Sequence, residues 1–246
     1  AASYPAGSVR AGIPVRAADD LTAWSLAEDG AISAVGGAWD AQQQTYTFDV
    51  ISGVTAIARF PFTDVPAGSW YYGAAAYAYN NGLFAGTTAT TFAPDMTMTR
   101  AMLVSVLWRL AGEPAPKGAN TFDDVPDGTW YTDAVTWAAE NGVVAGIGNG
   151  RFDPDGSVTR EQTAVILFNY AQSKGYDVSA RADLSAFPDA GSVSDWAQSA
   201  LAWANASGLI SGAVRGTQTI LDPQGSASRA QVAMILMGYV EHVVNA

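Results

Sequence analysis

Apolar and polar residues follow two different rhythms along this chain. In Tyr46-Thr-Phe48-Asp-Val50 they alternate with period two, and Val54-Thr-Ala-Ile57-Ala-Arg-Phe60 continues with β-formers after Ser52-Gly53. Asp29-Gly30 and Gly36-Gly37 are turn signals in the same region. Further on the period is helical. Leu103, Val106, Leu107 and Leu110 share one face, as do Ala164, Leu167, Phe168 and Ala171. The pattern predicts a β-rich segment over residues 1–60 and a mainly helical remainder.

That remainder repeats itself. Phe62-Thr-Asp-Val-Pro-Ala-Gly-Ser-Trp70-Tyr71 recurs 60 residues later as Phe122-Asp-Asp-Val-Pro-Asp-Gly-Thr-Trp130-Tyr131. Without a gap, Asn81-Gly82 then falls on Asn141-Gly142, Phe92 on Phe152, and Thr99-Arg100 on Thr159-Arg160. A looser third copy opens at Phe187-Pro-Asp189, with Trp196 in the place of Trp130. Additional residues enter its glycine loop before Asp222-Pro223 and Ser228-Arg229. The copies span 61–116, 117–180 and 181–246.

Each copy has the same local grammar. A turn leads through a Trp into an alanine-rich helix, which Asn-Gly stops because glycine accepts the left-handed C-cap conformation. A Gly-containing loop reaches a Pro that blocks helix continuation. Thr159 with Gln162, and Ser228 with Gln231, predict capping boxes for the second helix. In the first copy Met102 replaces the reciprocal residue, which predicts a weaker cap. Two helices cannot bury their apolar faces alone, so the copies are expected to pack on one another as a pseudo-threefold helical body.

Composition narrows the chemistry. The net charge of −11 gives no basic face for nucleic acid or for an anionic membrane surface. No apolar run approaches the roughly 20 residues needed to cross a bilayer. There is no cysteine, and His242 is the only histidine, so thiol chemistry and a His-based triad or multi-His metal site are excluded. Asp153-Pro-Asp155-Gly156 opens like a calcium loop but lacks the later Asp/Asn and the closing Glu. No carboxylate pair is marked for glycoside hydrolysis. The expectation is a non-enzyme with no cofactor and no metal. The N-terminus lacks a basic start and an apolar core, and the β-rich segment shows too few strands for a sandwich. The chain is therefore expected to be cut from a longer protein, with residues 1–60 either the remnant of an upstream all-β module or a small sheet packed on the first repeat.

The pattern Phe-x-Asp-Val, Trp-Tyr, Asn-Gly, Phe-x-Pro, Thr-Arg resembles the S-layer homology (SLH) domain, in the triplicate arrangement common in that family. The resemblance covers about three quarters of the chain. It implies a three-pronged, mainly helical fold that anchors a secreted protein to secondary cell wall polysaccharide, typically through pyruvylated amino-sugars, at a bacterial surface. It implies no nucleic-acid or membrane partner and a monomeric isolated fragment. The alternative role is self-assembly into a surface layer. The family signature Thr-Arg-Ala-Glu stands here as Thr99-Arg-Ala-Met, Thr159-Arg-Glu-Gln and Ser228-Arg-Ala-Gln, with the Arg kept and the final Glu lost.

Arg100, Arg160 and Arg229 open helices, where a guanidinium and free helix N–H groups would together hold a carboxylate. The other reading pairs each Arg with Asp95, Asp155 or backbone carbonyls. Gly86, Gly146 and Gly212 either let a ligand approach the backbone or serve turn geometry. Trp70, Trp130 and Trp196 either fill the core or stack on sugar. Asp64, Asp124 and Asp189 are expected to cap the loop into the first helix, or to touch a sugar. Grooves are expected between prongs, unequal, with the one centred on Arg160 best preserved.

Overall fold

The computed structural model describes residues 60–245 continuously and, before them, six strands within residues 10–59. Two compact units, Ala1–Ala93 and Pro94–Ala246, make up the chain.

In the first unit the strands are β1 (Arg10–Pro14), β2 (Leu21–Leu26), β3 (Ile32–Val35), β4 (Gly37–Asp40), β5 (Thr45–Asp49) and β6 (Val54–Arg59). They form two antiparallel three-stranded sheets, ordered β1-β5-β4 and β3-β2-β6. The two β-forming runs read from the sequence are β5 and β6, which lie in different sheets. The turn signals at 29–30, 36 and 52–53 fall outside the described residues. Helix α1 (Tyr72–Asn80) packs on β3. Its buried alanines, Ala74, Ala75, Ala76 and Ala78, permit close approach. Beside it Phe62 packs edge-on to Phe60 and Tyr79, with centroids at 5.1 and 4.9 Å, and lies 5.5 Å from Phe92. These edge-to-face contacts stabilise beyond the area they bury.

The second unit holds α2 (Arg100–Leu110), α3 (Thr132–Glu140), α4 (Arg160–Lys174), α5 (Gln198–Ala206) and α6 (Arg229–Tyr239), followed by a π-helical turn at Val240–Val244. Between α5 and α6 stands a hairpin, β7 (Ala213–Arg215) with β8 (Gln218–Ile220). From residue 60 onward the chain is thus mainly helical. The short helices stop as expected: Gly142 takes φ +67 after Asn141, whose amide donates to Trp137 O at 2.7 Å. Both capping boxes form, at Thr159/Gln162 and Ser228/Gln231. Thr99 accepts only from Met102 N. The second helix of one copy packs on the first helix of the next, α2 on α3 and α4 on α5.

What joins the copies is a closed ring of backbone hydrogen bonds. Met98 N–H donates to Ala227 O, Ala227 N–H to Val158 O, and Val158 N–H to Met98 O, at 2.9, 3.1 and 2.9 Å. The ring continues into the helix starts. Arg100 and Ala101 donate to Gly156 O and Pro154 O, Arg160 and Glu161 to Gly225 O and Pro223 O, and Arg229 and Ala230 to Met96 O and Pro94 O. Each second helix therefore has its first two N–H groups satisfied by a neighbouring copy, and its third by its own Thr or Ser. Those orphan donors would otherwise need water or a ligand.

Candidate functional site

The ring decides what the arginines can do. The free helix N–H groups expected beside them are already bonded, so the helix start offers no open donor cluster. The side chains are buried, 7% exposed at Arg100, 5% at Arg160 and 6% at Arg229. Arg100 reaches into the loop of the second copy. Its Nε donates to Phe152 O at 2.8 Å and its Nη2 to Ala145 O at 3.2 Å, while the guanidinium lies 4.7 Å from the Phe152 ring centroid. Arg160 repeats the first contact with Leu221 O at 2.8 Å, but its Nη2 is buried without a partner.

Neither guanidinium forms an ion pair with a carboxylate among the described residues; Asp95 and Asp155 do not pair with them. Burial pulls Arg100 below its usual range, opposed by the fields of Asp153 and Asp124. Burial does the same to Arg160, opposed by Asp222 and Asp189. Arginine remains cationic at neutral pH even so. A buried cation without a counter-charge is costly to keep, and an arriving anion would relieve that cost.

Around Arg100 lies a groove of about 440 Å³. One wall is the loop Val143–Ile147 and another is the face of α4 carrying Gln162, Ile166 and Asn169, with Trp196 alongside. Arg100 comes from the first copy, Gly146 from the second and Trp196 from the third. The lining is drawn from all three copies, because α2 and α5 both pack beside repeat two.

The tryptophans are outside the core. Trp70, Trp130 and Trp196 are 64, 59 and 59% exposed, which overturns the packing reading. Trp70 and Trp130 stand edge-on to Tyr71 and Tyr131, each at 5.1 Å. The glycines are sterically required. A Cβ on Gly146 would lie 2.5 Å from Arg151 O and 2.9 Å from Phe122, one on Gly86 2.3 Å from Thr88 O, and one on Gly212 2.9 Å from Ile220 O.

The aspartates do not cap the first helix. Asp64 accepts from the backbone N–H of Phe92 and Ala93, Asp124 from Phe152 and Asp153, and Asp189 from Leu221 and Asp222, all at 2.7–2.8 Å. In each pair the second residue is left-handed: Ala93 at φ +57, Asp153 at +62 and Asp222 at +52. The carboxylate holds a strained backbone bend. Partial desolvation pushes the Asp124 carboxyl up, but the Phe152 and Asp153 N–H bonds and the Arg151 side chain outweigh it and hold it below the usual carboxylate range. Sequence reasoning missed Asn169 and Ile147 as groove residues. Asn169 interrupts an apolar stretch of α4 and was the one visible sign.

The family model of the S-layer homology domain matches residues 61–101, 121–164 and 186–233. The chain belongs to the S-layer homology domain family, whose members are non-catalytic anchoring modules that bind cell wall polymers and hold surface proteins at the bacterial wall or S-layer. It is 31% identical over 84% of its length to an amylopullulanase of Thermoanaerobacterium thermosulfurigenes, and 32% over 66% to a surface-layer 125 kDa protein of Lysinibacillus sphaericus. An endoglucanase of Bacillus sp. strain KSM-635 is 30% identical over 72%. The chain spans 11, 13 and 18% of those three relatives. Membership places the chain outside the cell, at the wall or S-layer.

Proposed function

We propose that this chain is a wall anchor whose grooves take secondary cell wall polysaccharide through pyruvylated amino-sugars. The observation that carries this reading is the groove uniting a buried, charge-unpaired Arg100 with the exposed indole of Trp196. The guanidinium keeps donors for a ketal carboxylate, and the indole offers a flat apolar face to a sugar ring. Arg160 and Arg229 hold carboxylates elsewhere on the chain, and the exposed indoles of Trp70 and Trp130 offer further faces to sugar rings. Gly86, Gly146 and Gly212, with Asp64, Asp124 and Asp189, shape the loops that the ligand meets. The ring of backbone bonds supports a pseudo-threefold arrangement of the second helices of the three copies.

Co-sedimentation with purified Gram-positive cell walls tests this, before and after chemical removal of pyruvate ketals. Binding is expected to fall on depyruvylation and in Arg100→Lys, which keeps a charge but loses the bidentate fork. Undiminished binding to depyruvylated walls would remove the carboxylate from the reading.

A further inference from the structure

Where the second copy meets the third, three aligned positions depart from the rest of the repeat. Glu161 stands where the other second helices have Ala101 and Ala230. Counting back from each Trp, Ser194 stands where the other copies have Gly68 and Gly128. Gln224 stands where they have Asp95 and Asp155. The structure brings these three side chains together. Glu161 is buried, and its carboxylate accepts from Ser194 N–H at 3.1 Å, Ser194 Oγ–H at 3.0 Å and Gln224 Nε2 at 3.4 Å. Gln224 Nε2 also donates to Ser192 O at 2.6 Å. An Asp at position 224 would set a second carboxylate against Glu161, whereas the amide supplies a donor. Burying a carboxylate is costly, and these three donors offset the cost. A Cβ added to Gly128 would meet nothing within 4 Å, so the matching turn of the second copy has no such neighbour close by.

The clamp acts on the turn that carries Trp196. Ser194 O accepts from Ala197 N–H at 2.9 Å, which closes a turn around Trp196 just before α5. Trp196 needs this hold more than its counterparts do. Trp70 and Trp130 each have the ring of the following Tyr edge-on at 5.1 Å. After Trp196 comes Ala197, which is buried and has no ring to offer.

We propose that Glu161 is a positioning residue for ligand binding: through Ser194 it fixes the turn that sets the Trp196 indole at the Arg100 groove. Glu161 does not itself line that groove. An indole already in place when a sugar arrives removes part of the ordering cost from binding.

This rests on the reading above in which Trp196 stacks on a sugar ring. The test is calorimetric titration of the full chain with oligosaccharides released from purified Gram-positive wall polymer. Calorimetry reads site number as well as affinity, so a weakened groove shows even if other sites bind. Trp196→Ala is expected to bind about tenfold more weakly, the loss of one stacking surface. Glu161→Ala restores the residue of the other second helices, so it should fold, and it should bind about fivefold more weakly. Ser194→Gly, the residue of the other copies, is the second variant and should lose about threefold whatever Glu161→Ala does to stability. Glu161→Gln keeps an acceptor for Ser194 N–H and faces a hydroxyl that can donate or accept. It should bind within about twofold of the parent. The deciding readout is non-additivity. In a Trp196→Ala background, neither Glu161→Ala nor Ser194→Gly should weaken binding further. Losses that multiply in the double variants would show that Glu161 does not act through the indole, and would overturn the proposal. If Glu161→Ala and Ser194→Gly bind as the parent does while Trp196→Ala is weakened, positioning falls and the anchor reading stands. If Trp196→Ala also binds unchanged, the stacking half of that reading falls with it.

Discussion

The glycine loops of the second and third copies start from the same residues and solve the same bend differently. In the second copy Gly148, Asn149 and Gly150 are all left-handed, at φ +103, +51 and +70, and Ile147 N–H reaches Arg151 O across the turn. In the third, the longer loop is spent on the β7–β8 hairpin, whose turn has one left-handed residue, Gly216 at φ +62. The insertion exchanges backbone strain for strand pairing. It also changes what the arginine meets. Gly212, the counterpart of Gly146, turns to φ +103, and no carbonyl satisfies Arg160 Nη2 as Ala145 O satisfies Arg100. Identical anchoring residues therefore face loops of unequal polarity. The copies share a frame, and their loops set the individual sites.

The frame should break alike in both copies. Asp124→Ala and Asp189→Ala each lose two charge-assisted backbone bonds at a left-handed bend, an expected loss of about 3 kcal/mol by denaturant unfolding. A difference between them above about 1 kcal/mol would show that the clamp depends on the loop it holds. The loops should break unequally. Gly146→Ala is expected to lose about 2 kcal/mol from overpacking, and Gly212→Ala more, since alanine there also meets φ +103. Equal losses would argue that contact alone sets the cost.

The caps come next. Thr159→Ala is expected to cost about 1 kcal/mol and Thr99→Ala less, because Met102 returns no bond to its cap. Circular dichroism on thermal melting compares them. The smallest effect is a pH dependence. A depressed folded pKa gives Asp124 a stabilising contribution that is present above its unfolded value, about 3.9, and lost as pH falls through the folded value. The stability gap between the parent and Asp124→Asn should hold at pH 5 and close below about pH 4.

The periodic parts of the fold were legible in the sequence. Helix stops at Asn141-Gly142 and the boxes at Thr159 and Ser228 depend on residues within four positions, so spacing alone reveals them. Four of the six strands were missed; β3 and β4, for example, have four residues each and a single residue between them, too short to show period two. Arg100, Gly146 and Trp196, singled out in the sequence, line one groove, but the sequence did not show that they meet. Nothing local indicates that Asp124 reaches residues 28 and 29 positions on, or that Trp196 stands beside an arginine 96 positions earlier in the chain. The exposed tryptophans show the limit best. Hydrophobicity argued for burial, and only the three-dimensional packing leaves them on the surface.

The backbone ring has a consequence for how the protein comes together. A linear array of repeats can lengthen one unit at a time, and its ends can fray independently. Here the last seam ties Pro94 and Met96 to Ala230 and Arg229, so the start of α6 is fully bonded only once the segment before α2 is in place. Such distant pairing imposes a large entropic toll before it is rewarded and slows folding accordingly. Once shut, the ring has no terminal unit to peel, so the three repeats should melt as one cooperative block. An anchor under steady pull at a cell surface would then yield only by opening a seam between copies.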